Sequence, residues 1–182
     1  PNCVDPRIYN TRAKPIKFQP EVKPYVFVSV FGWNYRKGYD ALLKAYLREF
    51  TNDDPVSLLI VTKYNFDGHH RRLFDVDATI RSYRSDYENA ASVVRCGQDI
   101  HEMEMPRLYK SCNCFVLPSR GEGFGLPYVE AGLCGLPVIA TKHSGHTMFL
   151  NEDNSYLLDI DRLSAVPAGY TNVHFWDNEI FP

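Results

Sequence analysis

The residues best suited to chemistry lie between Gly121 and Thr141, in the run GEGFGLPYVEAGLCGLPVIAT. Gly121, Gly123 and Gly125 leave the backbone without side chains, so a ligand can approach it closely. Leu126-Pro127 follows, and proline suits the first turn of a helix because the N–H it lacks would have no partner there. The free N–H groups of a helix start, with roughly half a unit of positive charge from the aligned peptide dipoles, form a ready anion site. Two carboxylates bracket it: Glu122 in the loop and Glu130 about one turn into the helix. An acid beside a phosphate repels it, so these two read as acceptors for hydroxyl groups on a ribose or a sugar ring. Glycines, a helix N-terminus and two hydroxyl-binding acids together describe a site for a sugar nucleotide. The competing account leaves the glycines as turn residues and Glu130 as a first-turn acid favoured by the helix dipole.

Other residue types offer less. The five cysteines, Cys3, Cys96, Cys112, Cys114 and Cys134, form no spaced framework, and no second pair accompanies Cys112 and Cys114 to complete a metal site. They read as small buried hydrophobes of a reducing compartment, and the expected location is the cytoplasm. His143 and His146 lack a third ligand in the pattern and are read as loop residues. A formal charge of -2 leaves no basic stripe for nucleic acid. No run of about eighteen apolar residues supports a membrane span, and no charged-then-apolar leader precedes the first element. With 182 residues, 45% of them apolar and 23% charged, the chain suits one globular domain with a substantial core.

The elements that must position the loop alternate. Residues 1–24 carry five prolines and no periodicity, and read as an inter-domain linker and lead-in, followed by a single domain over 25–182. Tyr25 to Phe31 is a continuous apolar, β-rich run, as in a strand covered on both faces. Tyr39, Leu42, Leu43, Tyr46, Leu47 and Phe50 then recur on one face of a helix. Val56 to Val61 predicts a second buried strand, Arg71 to Tyr87 a charged helix, and Ala91 to Arg95 a short strand. A helix from about Pro106, a strand over Asn113 to Leu117, a helix over Leu126 to Cys134 and strands over Leu136 to Ala140 and Tyr156 to Ile160 complete the series. Such alternation with short connections predicts an α/β, Rossmann-like domain: a parallel sheet with helices on both faces. Ligands of such sheets bind beyond the carboxyl ends of the strands, which is where the glycine loop falls.

The spacing Glu122-x₇-Glu130, with Phe-Gly-Leu-Pro between, resembles the E-x₇-E signature of the family 4 glycosyltransferases. In those proteins two Rossmann-like domains, the GT-B architecture, face each other across a cleft, and this chain is similar to their C-terminal, donor-binding domain. The likeness extends in the family's order: residues 1–10 to the inter-domain segment, 30–46 to the first loop and helix, 96–119 to the strand-helix-strand stretch before the signature, and 144–160 to the segment after it. The resemblance implies roles. Lys37, flanked by Arg36 and Gly38, matches the basic residue on the donor diphosphate, where it would offset charge growing on the leaving group without a metal. Arg36 and Gly32 share that first loop. Glu130 matches the acid holding the ribose hydroxyls, and Glu122 the acid near the transferred sugar. Gly123, Phe124, Gly125 and Leu126 match the segment whose backbone meets sugar and phosphate, and the turn Gly97-Gln98-Asp99 falls where the family holds the base. On this likeness Glu122 and Lys37 are the candidate catalytic residues.

Two departures stand out. Many relatives carry an arginine directly after the first-loop glycine, where this chain has Trp33; either Arg36 replaces that charge or phosphate binding is weaker. Relatives often carry an acid where this chain has Met148 or Phe149. The resemblance implies a retaining, metal-independent hexosyltransferase using a nucleoside-diphosphate sugar of UDP or GDP type as co-substrate, with no other cofactor. Its acceptor, a sugar, lipid or protein, would be bound by an N-terminal domain that this chain lacks, and this domain alone would bind donor without turnover. Two alternatives stay open: a non-catalytic sugar-nucleotide or protein-binding module, and a nucleotide-sugar epimerase of the same architecture. A dehydrogenase is disfavoured, because Phe31-Gly32-Trp33-Asn34-Tyr35-Arg36 does not supply G-x-G-x-x-G after the first strand.

Overall fold

A computed structural model of the chain describes residues 4–18, 21–62 and 75–161, together with the backbone of 164–165 and 180–181. The main sheet contains β1 (Tyr25–Val30), β2 (Val56–Val61), β3 (Ser92–Cys96), β4 (Cys114–Leu117), β5 (Val138–Thr141) and β6 (Tyr156–Leu158). These strands are parallel throughout and lie in the order β3-β2-β1-β4-β5-β6. A separate two-stranded antiparallel ladder pairs β7 (Ser164–Ala165) with β8 (Ile180–Phe181). The helices are α1 (Tyr39–Glu49), α2 (Val76–Ser85), α3 (Met105–Lys110) and α4 (Leu126–Leu133). This is the expected Rossmann-like α/β fold, and its strand order is that of a doubly wound dinucleotide-type sheet.

The reasons for these elements are local. Every residue of β2 is buried, which is why its sequence VSLLIV lacks alternation. The buried face of α1 is Tyr39, Leu42, Leu43, Tyr46 and Leu47, as its periodicity predicts. Asp75 caps α2 by accepting the Ala78 N–H at 2.9 Å, so among the described residues this helix starts at Val76; the expected turn from Arg71 to Phe74 lies outside them. Strand β5 begins at Val138, two residues later than expected. Pro137 has no N–H for the ladder, although its carbonyl still accepts from Phe115 at 2.9 Å.

Two parts of the chain differ from their sequence appearance. Residues 4–18 pack against the domain: Tyr9 is buried, its ring 6.5 Å from that of Tyr109, and the Ile16 N–H donates to Ser111 Oγ at 2.7 Å. These contacts come singly, so no periodicity announces them. Trp33 is the other case. It is fully buried, stacked between Phe31 and Tyr39 at ring distances of 5.7 and 4.4 Å. Trp33 is therefore a core anchor that ties the loop after β1 to the start of α1, at the position where the resemblance leads one to expect an arginine.

The sheet order decides where a ligand can sit. The chain winds outward from β1 to β2 and β3, crosses back to β4 beside β1, then winds the other way to β5 and β6. Connections leave β1 and β4 in opposite directions, and a crevice opens between them at their carboxyl ends.

Candidate functional site

The loop after β1 and the loop after β4 meet at that switch point. The first loop forms a 3₁₀ turn over Tyr35–Lys37 and closes on Gly38, whose φ is 69°. A Cβ at Gly38 would collide with the Pro118 carbonyl oxygen, so glycine is what allows the loop to press against the end of β4. Arg120 then fastens the two. Its backbone N–H donates to the Arg36 carbonyl at 2.7 Å. Its guanidinium forks onto Asp40 at 2.7 and 2.9 Å, donates to the Tyr35 carbonyl at 2.8 Å and lies 3.9 Å from the centre of the Tyr35 ring. Ser119 Oγ adds a bond to the Arg36 carbonyl at 3.2 Å.

This clasp carries the two candidate cations to Glu122. Lys37 Nζ lies 2.6 and 2.8 Å from the two carboxylate oxygens, and Arg36 Nη1 lies 3.4 Å from Oε2 while donating to the Gly121 carbonyl. Burial pulls the Lys37 amine below its ordinary pKa, and Glu122 opposes that pull. The main chain of Glu122 is held from the segment after β5: its N–H donates to Ser144 Oγ at 2.8 Å, and its carbonyl accepts from Gly145 at 3.0 Å. Ser144 sits at φ 71°, ψ -162°, a conformation costly for a residue with a Cβ.

Helix α4 starts from Gly125, at φ 89°, with proline in its first turn as expected. The first-turn N–H groups, which have no intrahelical partner, open at the glycine loop. Phe124 turns its ring onto Phe149, 5.1 Å away between centroids. Of the two positions where the resemblance leads one to expect an acid, Met148 is the exposed one, at 83%. Glu130 accepts a 2.9 Å hydrogen bond from the Tyr109 hydroxyl. Burial raises its pKa, with the Tyr109 bond opposing and the nearby Glu102 adding to the rise.

Gly32 and Gly123 behave differently from Gly38 and Gly125. Neither has a positive φ; a Cβ at Gly123 would meet nothing within 4 Å, and one at Gly32 would come no nearer than 3.9 Å to Asn34 Nδ2. The fold does not require glycine at either position. Gly32 borders the crevice, a cavity of about 510 Å³ lined also by Phe31, Lys37, Thr62, Gln98, Ile100, Met105 and Pro127, whereas Gly123 is exposed on the neighbouring loop. Gln98 and Ile100 flank Asp99, so the turn after β3 reaches the same crevice. The structure thus gathers Gly32, Lys37 and the Asp99 turn around one cavity, sets Glu122 and Arg36 against Lys37, and places Glu130 farther along α4.

His146 corrects the sequence reading of the histidines as loop residues. It is completely buried in a 3₁₀ turn, Gly145–Met148, and stacks on Tyr128 at 4.6 Å. Its Nε2 donates to the Thr141 carbonyl at 2.6 Å, and burial lowers its pKa. It floors the signature loop, and nothing in its spacing distinguishes it from a surface histidine. Burial also pushes the Cys112 thiol up to about 12 and those of Cys114 and Cys134 to about 11, so none is a ready nucleophile. Among the described residues no three His, Cys, Asp or Glu side chains converge as a metal group, and no helix is long and apolar enough to cross a membrane.

A doubly wound sheet with cations, bare glycines and a helix N-terminus at its switch point is the architecture of an α/β nucleotide-binding domain. Residues 23–166 match the family described as glycosyl transferases group 1, and the chain belongs to that family. It is 28% identical over 165 residues to an uncharacterised 41.2 kDa protein of the Klebsiella pneumoniae cps region, a match covering 88% of this chain and 40% of that protein. The chain therefore spans well under half the length of that curated relative. Among solved structures it is similar to the C-terminal domain of the group 1 family protein LpcC from Francisella tularensis, with a TM-score of 0.67, 20% identity and coverage of 87% of this chain and 81% of that one. It also superposes on Anabaena HepE in complex with UDP and glucose, with a TM-score of 0.62, 20% identity and coverage of 87% and 42%. The fold is thus that of a glycosyltransferase C-terminal, GT-B-type domain.

Proposed function

We propose that this domain binds the donor of a retaining, metal-independent glycosyltransferase, with a nucleoside-diphosphate sugar as co-substrate. The observation that carries this is the crevice itself: Gly32 is bare there although the fold has no need of it, and Lys37 and Pro127 at the start of α4 line the same space. A diphosphate there would meet two cations and the helix N-terminus, which offset the charge that grows as the sugar–oxygen bond breaks. The base would lie toward the Gln98–Ile100 turn, the ribose hydroxyls on Glu130 and the sugar toward Glu122. The acceptor, a sugar, lipid or protein, would be held by a further domain, so this domain alone binds without turnover.

Calorimetric titration with UDP, GDP and ADP in EDTA tests this, repeated on Glu130→Ala. Selective binding of one nucleotide, weakened at least about tenfold in the variant, is the expected outcome. Failure of all three nucleotides at millimolar concentration, in a chain shown to be folded, would overturn it.

A further inference from the structure

Both oxygens of Glu122 are already engaged. Lys37 Nζ sits between them at 2.6 and 2.8 Å, and the two side chains are only 14% and 6% exposed. While this pair stands, Lys37 cannot turn fully to a phosphate, and Glu122 cannot offer both oxygens to a hydroxyl. The partners differ in freedom. Glu122 is clamped through its main chain by Ser144 and Gly145, whereas Lys37 carries its charge on a flexible four-carbon stem. Lys37 is therefore the partner that moves. A diphosphate offers more negative charge than one carboxylate and replaces the pairing that Lys37 gives up, so no desolvated cation is left alone.

We propose that Glu122 is the resting counterion of Lys37, and that the donor diphosphate frees the acid for the transferred sugar by drawing Lys37 away. This deepens the donor-site assignment above and rests on it. Recognition is then ordered within one ligand: the sugar contact opens only after the diphosphate contact is made. A free hexose finds Glu122 occupied. A free nucleoside diphosphate must break the pair and gains nothing at Glu122, whereas a nucleotide sugar uses both halves.

The consequence has opposite signs for two ligands. Glu122→Gln removes the competitor for Lys37, so inorganic pyrophosphate and the nucleoside diphosphate that binds the chain should bind about tenfold more tightly, the order set by one charge-assisted hydrogen bond. The matching nucleotide sugar, UDP-glucose or GDP-mannose, should gain less than the free diphosphate or bind more weakly. In a Lys37→Ala background the same glutamine should change pyrophosphate affinity little, because the close pair is gone and only the 3.4 Å Arg36 contact with Glu122 remains.

The experiment is a calorimetric titration of the wild type, both single variants and the double variant, with melting curves to confirm folding; Glu122→Ala is the second variant if the glutamine does not fold. Unchanged or weaker pyrophosphate binding in Glu122→Gln would overturn the inference while leaving the donor site standing. An equal gain with and without Lys37 would also overturn it, since removal of a negative charge would then act through the general field alone. Absence of binding by pyrophosphate and every nucleotide to all folded variants would remove the donor site and the inference together.

Discussion

A Cβ added at Gly38 would collide with the Pro118 carbonyl oxygen and force a residue with a side chain to φ 69°, whereas one added at Gly123 would enter empty space. The two glycines therefore separate stability from binding. Gly38→Ala is expected to destabilise the chain by more than about 2 kcal/mol, measured by urea unfolding. Gly123→Ala is expected to stay within about 0.5 kcal/mol of the wild type yet to weaken nucleotide binding at least about tenfold. If both changes cost stability alike, the open space at Gly123 is no ligand site. Glu130 supplies a second residue-scale expectation. Its pKa in the fold is raised above 4.5 by burial, so ionising it costs more folded than unfolded. The penalty is absent below pH 4.5 and grows as pH rises through the raised value. Glu130→Gln, which still offers an oxygen to Tyr109, should thus melt higher than the wild type at pH 7 and lose that advantage toward pH 4. Paired melting curves over that range would show a constant offset if the carboxylate is not desolvated.

At the scale of elements, the apolar periods and the turn chemistry are what the sequence displays. Helix α1 and strand β2 have the expected faces, and Leu126-Pro127 opens α4. Element ends were less legible, because Asp75 and Pro137 decide them through single hydrogen-bonding groups. The candidate site was legible as residue types, and the partners of those residues were not. Lys37 and Glu122 are 85 positions apart, and no local pattern states that one holds the other. Arg120 carries no local signal for the same reason: its role lies in contacts with Tyr35, Arg36 and Asp40 on the other loop. Lysine cannot reproduce the forked pairing to Asp40 or the stacking on Tyr35. Arg120→Lys should therefore weaken nucleotide binding about tenfold by loosening the turn that carries Lys37. In a Lys37→Ala background the loss should shrink, since Arg120 acts through that loop. Additive losses would show that Arg120 contributes by a separate route.

Across the whole molecule, the strand order is the property that the alternation of elements did not contain. Alternation gives a parallel sheet, but many orders satisfy it; only the reversal between β1 and β4 opens a crevice and brings the two loops to its edges. One half of the sheet supplies Gly32 and Lys37, and the other supplies Glu122, Gly123 and the start of α4. A ligand in the crevice must therefore bind both halves at once. Any ligand that binds the native state alone stabilises it, by about 2.7 kcal/mol at one hundred times its Kd. Here that stabilisation should also be distributed in a particular way. Amide hydrogen exchange at saturating nucleotide should slow together in the loop 31–38 and in the loop 119–126, with a smaller effect in the turn 97–100. The outer strand β6, on the far side of β5 from the crevice, should exchange as before. Protection confined to one loop would mean that the ligand sits on one half of the sheet, and the switch-point crevice would lose its claim to be the site.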